Sequence, residues 1–293
     1  MNVITPSFKL LPLIKQSFWV WFLLVINITT AYASLLITPT RVELDQRARA
    51  AKVSLINTGS ETKTYKIFFR NQKQLPEGGY QYLTNADEIA NFPTADNMLR
   101  YSPRQVTLKP GERQHIRIAA RRPKGLADGE YRSHLVFEAL PNRKAEDNVS
   151  PGQSSVKVYV NLAFAIPAIL RQGEIDVKVE MSQVKMITKE VKGEKHVGAI
   201  ISLERQGLHS SFGNLKVFWK DTIDGKETQI GKLNNVAIYS EVVSRKVTIG
   251  LPKHSIKSGY LHVIYEGEEE YTGTTFVDTV FPINAKDYSA EIK

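Results

Sequence analysis

Six histidines, at positions 115, 134, 196, 209, 254 and 262, are the first side chains to test for metal or acid–base chemistry. None stands in an H-x-x-H or H-E-x-x-H pair, the spacing that sets two imidazoles on one helix face, so no helical metal site is indicated. His115 and His134 fall in alternating, strand-like segments, where a solvent-facing or hydrogen-bonded ring is the ordinary outcome. No G-x-S-x-G elbow occurs, and His209-Ser210-Ser211 has the composition of a loop rather than of a triad. No glycine loop runs into the lysine that would cradle a phosphate. The run Glu268-Glu269-Glu270, flanked by Gly267 and Gly273, reads as a solvated hairpin tip rather than a calcium site. These residues support no catalytic constellation, and the expectation is a non-enzyme with no cofactor and no metal.

Two features point to binding. In Val156-Lys157-Val158-Tyr159-Val160-Asn161-Leu162-Ala163-Phe164 the apolar side chains recur at every second position and share one face of a strand. That face either packs into its own domain or is offered at a sheet edge to another chain; alternation alone does not choose. Arg41 interrupts the otherwise apolar Thr38-Pro39-Thr40-Arg41-Val42-Glu43-Leu44. A planar, permanently charged guanidinium can hold a carboxylate through two parallel hydrogen bonds. An exposed arginine paired with Glu43 or with water is the plainer alternative.

The elements that would position these residues are short strands. Runs at Leu35–Asp45, Lys52–Asn57, Tyr65–Arg70, Met98–Leu108, His115–Ala120, Tyr131–Phe137 and Val156–Ile166 are separated by turn residues. Lys109-Pro110-Gly111-Glu112 is a turn by composition, and Asp128-Gly129 leads into the next strand. Pro76, Gly78 and Gly79 mark a polar loop. About seven strands at this spacing, without a helical period, describe an immunoglobulin-like sandwich. Pro167–Gly173 reads as a junction, proline ending the strand, after which the pattern restarts from Ile175 to Ile283 with an Asp224-Gly225 hairpin turn. The expected fold is all-β, with two immunoglobulin-like sandwiches over 34–167 and 168–293.

Residues 1–33 have the pattern of an export signal: Lys9 and Lys15, an apolar run Phe18–Ile26, then Ala31-Tyr32-Ala33. The run falls short of the roughly 18 residues that span a bilayer, and no later segment is long and apolar enough, so no membrane insertion of the mature chain is expected. The formal net charge is +9, but the basic residues are scattered, which argues against a nucleic-acid partner. The chain contains no cysteine, so its domains must stand on their apolar cores without disulfides.

Several stretches together, in order and spacing, resemble the periplasmic chaperones of the chaperone-usher pathway (PapD-like). They are Ile37-Thr38-Pro39-Thr40-Arg41-Val42, Leu99 through Gly111, Gln114-His115-Ile116-Arg117-Ile118, Gly129 through Leu135, and Arg205-Gln206-Gly207 through Phe212-Gly213-Asn214-Leu215. The resemblance covers nearly the whole chain after the signal. It implies two sandwich domains set in an L or boomerang, and a periplasmic protein that binds, stabilises and caps pilus or fimbrial subunits and delivers them to an outer-membrane usher. It further implies donor-strand complementation, in which the strand before the junction fills the groove of an incomplete subunit. Carried over by position, the donor residues are Val156, Val158, Val160 and Leu162, and Arg41 is the anchor for the subunit's terminal carboxylate. One departure stands out: Asn161-Leu162-Ala163-Phe164-Ala165-Ile166-Pro167 lacks the lysine that many relatives place near the end of the donor strand. In this the chain is more similar to alternate or archaic branches. The second basic anchor is left unassigned, with Arg171 as a guess. The loop Pro141–Ser155 is expected to be mobile in the free protein and partly ordered by a subunit, and self-association of the free protein is left open. A secreted adhesin-like or ligand-binding sandwich, with exposed aromatics grouped on one face, is the alternative.

Overall fold

Where every second side chain is apolar, an extended segment gains one dry face, and two sheets that press such faces together form a sandwich. The computed structural model of the chain describes residues 35–141, 162–252 and 254–290. Residues 1–34, expected to include an export signal, Val156, Val158 and Val160, and nearly all of the segment after Pro141 lie outside the described residues.

The first domain contains β1 (Leu36–Thr38), β2 (Val42–Leu44), β3 (Ala50–Ile56), β4 (Lys63–Arg70), β5 (Gln72–Gln74), β6 (Tyr80–Tyr82), β7 (Leu99–Ser102), β8 (Gln105–Leu108), β9 (Arg113–Ala120), β10 (Gly129–Ala139) and β11 (Ala163–Gln172). One sheet has the order β1-β3-β9-β7 and the facing sheet β2-β11-β10-β4-β8. Val53 and Leu55, Tyr65 and Ile67, Ile116 and Ile118, and Leu135 and Phe137 meet between them as a buried core. This is the expected immunoglobulin-like arrangement. Two segments expected as single strands are each divided. Leu35–Asp45 becomes β1 and β2, and Met98–Leu108 becomes β7 and β8, the members of each pair lying in different sheets. The breaks fall at Pro39 and Pro103, where a residue without an N–H cannot continue a ladder.

The second domain contains β12 (Lys178–Val191), β13 (Glu194–Gln206), β14 (Ser211–Lys220), β15 (Thr228–Ile238), β16 (Ser244–Gly250), β17 (Gly259–Gly267), β18 (Thr275–Ile283) and β19 (Ser289–Ala290). Its sheets are β16-β13-β12-β19 and β15-β14-β17-β18, closed over Ile201, Leu203, Leu215, Val217, Trp219, Leu261 and Val263. Asp224-Gly225 lies in the connection between β14 and β15. At Gly213 a Cβ would sit 2.0 Å from the Glu266 carbonyl oxygen, so glycine there permits the close approach of β14 and β17.

Within the expected junction Pro167–Gly173, the end of the strand is corrected. Pro167 does not end a strand: β11 continues through it to Gln172, five positions beyond the expected boundary. On one flank Pro167 faces His134 of β10, and on the other flank β2 begins only opposite Ala168. Its missing N–H therefore falls where little pairing is lost. The chain turns at Gly173, whose φ is +83°.

Candidate binding site

The site is built on the outer face of the β2-β11-β10 sheet, which the second domain partly covers. Strand alternation places Val42, Leu44, Ala168 and Leu170 in the first-domain core, and so sends Arg41, Glu43, Ile169 and Arg171 to the opposite face. Ile169 is fully buried there in a cluster with Phe212, Ala237, Tyr239 and Tyr271 of the second domain.

Around this apolar patch lies an ion cluster. Arg41 donates from both terminal nitrogens to Glu270, at 2.9 and 3.2 Å, and lies 3.4 Å from Glu43. Its guanidinium carbon stands 4.4 Å from the centroid of the Phe212 ring. Arg171 pairs with Glu43, with Glu270 at 2.8 Å and with Glu130 at 3.2 Å. Glu130 also accepts from the backbone N–H and the hydroxyl of Ser210, at 3.0 and 2.6 Å. Burial works against ionising Glu130 and Glu270, but Arg171 on the first, and Arg41 with Arg171 on the second, outweigh it and lower both pKa values. For Glu43 burial wins: against the pull of Arg171, and helped by the Glu270 charge, its carboxyl is pushed up to about 8. At neutral pH the cluster thus holds two arginines and two carboxylates, with Glu43 protonated and hydrogen-bonded to Glu270.

The expected solvated hairpin tip at Glu268–Glu270 holds for Glu268 and Glu269, which are exposed, and not for Glu270. The residues form a short 3-10 turn over Glu269–Tyr271 that carries Glu270 into the junction, where its side chain is 17% exposed. Arg41 is likewise no exposed strand arginine, being only 5% exposed. Arg171, named as a guess for the second anchor, is enclosed by Glu43, Glu130, Glu270 and Ser210.

A second set of contacts comes from the segment expected to be a polar loop. It folds as the β5–β6 hairpin, and Gln74 on it donates to the Ala237 carbonyl at 3.1 Å and accepts from the Tyr239 N–H at 3.2 Å. The Gln74 N–H donates to Glu241 at 2.8 Å, and Glu241 also pairs with Arg132. Arg132 lies against the Tyr239 ring, 3.5 Å from its centroid. Nothing in the local composition of residues 72–82 marks this role, because the partners lie more than 160 positions away.

The histidines scatter. His115 is exposed on β9. His134 is buried, and neither ring nitrogen meets a hydrogen-bond partner; burial, with Arg132 and Arg70 nearby, lowers its pKa to about 3. His209 is also buried, accepting from the Asp176 N–H at 3.1 Å while its other nitrogen reaches the Gln172 carbonyl at 3.3 Å. Among the described residues no group of His, Asp and Glu has the arrangement to hold a metal ion.

Of the expected donor residues only Leu162 lies among the described ones. It is 53% exposed and leads directly into β11. One flank of β11 pairs with β10 along its whole length; on the other, β2 covers Ala168–Leu170 alone. Among the described residues, no strand pairs with Ala163–Pro167 on that flank. Because β2 runs parallel to β11 with Val42 opposite Ala168, Arg41 stands at the end of this open stretch.

The fold defines a class: a two-domain, immunoglobulin-like β-sandwich protein in which, among the described residues, one flank of β11 beside the domain junction has no partner strand. No family model matches the sequence, and no curated protein matches it. Solved chaperone structures do resemble the chain. The class 5 fimbriae chaperone CfaA is 16% identical with a TM-score of 0.43, the match covering 85% of this chain and 98% of that one. A chain of the CsuC–CsuE chaperone-tip adhesion subunit pre-assembly complex, from the archaic chaperone-usher Csu pili of Acinetobacter baumannii, is 14% identical with a TM-score of 0.42, over 89% of this chain and 100% of that one. The YadV chaperone is 12% identical with a TM-score of 0.42, over 86% and 100%.

Proposed function

We propose that the protein is a periplasmic chaperone that holds and caps pilus or fimbrial subunits by strand donation and passes them to an outer-membrane usher. The observation that carries this reading is the open flank of β11 at Ala163–Pro167, continuous with exposed Leu162 and, before it, the alternating Val156, Val158 and Val160. An incomplete sheet in a partner would gain backbone hydrogen bonds along this edge and close its own groove with those apolar side chains. Burying each valine or leucine contributes roughly 1.5–3 kcal/mol before ordering and association costs. A slip of one residue would point Lys157, Tyr159 and Asn161 into the groove, so register is fixed by the chain itself.

A partner strand added to this flank in line with β2, and so parallel to β11, would end at Arg41. That is the position the anchor role requires. No helix among the described residues is long and apolar enough to cross a membrane. Trp219 is buried, so it offers no platform for the adhesin-like alternative.

The test is co-purification from periplasm with subunits. Val158→Asp puts a charge into the groove, and Arg41→Ala removes the anchor. Both variants are expected to lose subunit recovery, and normal recovery in both would refute strand donation.

A further inference from the structure

In a sandwich sheet, the side chains that do not enter the core face outward. The β1-β3-β9-β7 sheet gives Val53, Leu55, Ile116 and Ile118 to the core of the first domain. Alternation therefore sends Lys52 of β3, Arg100 of β7, and Arg113 and Arg117 of β9 to the opposite face, and all four are exposed. Basic residues that are scattered in the sequence are gathered here by strand register. Lys52 lies directly opposite Arg117, and Arg100 lies opposite Ala119, the next outward position along β9. The other outward positions of the sheet carry Ala, Ser, Thr, Leu, Ile and His, and none is acidic. Among the described residues none of the four cations forms an ion pair. Glu112, beside Arg113 in sequence, lies in the preceding turn, where its carboxylate accepts the Lys109 N–H at 2.8 Å. Like charges directly opposite one another weaken a sheet, and Lys52 faces Arg117 with no acid on the same face to offset them.

The layout of the charge selects the partner. A protein-binding patch concentrates apolar and aromatic side chains at its centre, where lysine is depleted, and leaves charge to the rim. Here the order is reversed. Lys52 and Arg117 stand on the two inner strands, while the apolar pair Leu36 and Ile56, opposite one another, lies at one end. The cations are spread over three strands about 4.8 Å apart and along about 20 Å of strand, too widely to close on one small anion. We propose that this face binds the surface of an anionic phospholipid bilayer, lying on it without insertion. A planar array of phosphates supplies the counter-charge that the sheet itself lacks, and each basic residue beside such a surface adds to the attraction. The face belongs to the sheet that does not contain β11, so a membrane on it leaves the β11 edge free. Membrane binding therefore stands independently of strand donation.

The test is flotation of the mature protein with vesicles. Vesicles of phosphatidylglycerol and phosphatidylcholine in equal amounts are expected to carry the protein in dilute buffer, and vesicles of phosphatidylcholine alone are not. Binding should be lost in about 1 M sodium chloride, where the screening length falls to about 3 Å. Each cation contributes about fivefold in affinity, so Lys52→Gln combined with Arg117→Gln should weaken binding about twenty-fivefold. Lys226→Gln with Lys232→Gln removes the same charge from exposed positions of the second domain and should weaken it by no more than about twofold. Equal thermal midpoints by far-ultraviolet dichroism assign the loss to the surface. If the first pair unfolds early, Arg100→Gln with Arg113→Gln gives the same reading from positions that do not face each other. Failure of the wild type to float with anionic vesicles, equal flotation with neutral ones, or an equal loss in the second-domain variant overturns the proposal. So does capture of polyglutamate or an oligonucleotide through Lys52 and Arg117 without vesicle binding, since the face would then serve another polyanion. Val158→Asp, which tests strand donation, should leave flotation unchanged.

Discussion

Glu43 and His134 oppose one another as pH changes. An unfolded Glu43 ionises at its ordinary value of 4.5, whereas the folded one keeps its proton to about 8. Between those values the unfolded chain binds fewer protons, so this residue makes stability fall as pH rises. Glu43→Gln is expected to flatten that decline and to exceed the wild type in urea midpoint at pH 8. His134 works from the acid side. Its ring is held neutral down to about pH 3, against 6.5 when unfolded, so stability is lost as pH drops through this window. The loss is about 1.4 kcal/mol per pH unit once the unfolded ring is charged. His134→Leu should remove that slope between pH 6 and 4.5, and an unchanged slope would mean that the ring is solvated. Arg171→Ala leaves the Glu130 and Glu270 carboxylates short of a cation and is expected to cost about 3–5 kcal/mol. Little of this cluster is legible in the sequence. Arg41 stands out as a charge in an apolar strand, but its partner Glu270 lies 229 positions away in a run whose local composition suggests solvent.

Strands were the legible elements, since period-two alternation is a local property of the chain. Their boundaries were legible only where pairing agreed with composition. Pro39 and Pro103 each divide an apparent strand between two sheets, while Pro167 lies within one because, among the described residues, no strand pairs with it on that flank. A proline announces a missing donor, and only the neighbouring strand decides whether that matters. The β5–β6 hairpin was hidden for a related reason: its fixed positions come from the second domain. At this scale the open flank makes a sharp prediction. Leu162→Asp should change folding stability by no more than about 0.5 kcal/mol, because the side chain is already exposed. The same variant should lower subunit recovery. Destabilisation by several kcal/mol would show that Leu162 is part of the first-domain core.

In the whole molecule, the two sandwiches meet through Ile169 and its aromatic neighbours, the Arg41–Arg171 ion cluster and the Gln74 hairpin. These contacts make independent unfolding of the domains costly. Once residues 1–33 are removed, Trp219 is the sole tryptophan and reports on the second domain alone. Its fluorescence and the far-ultraviolet dichroism of the whole chain should change at one temperature. Ile169→Asp, which sets a charge in the apolar patch, should separate the two transitions. Such coupling keeps the β11 edge and Arg41 in one fixed relation to the second domain. The most direct test of that edge is hydrogen exchange of the amides between Val156 and Ile166, measured on the free protein and on its complex with a co-purified subunit. Strand donation predicts strong new protection at alternate amides along this stretch. Exchange at the same rate in both states, with the subunit still bound, would place the partner elsewhere and contradict it.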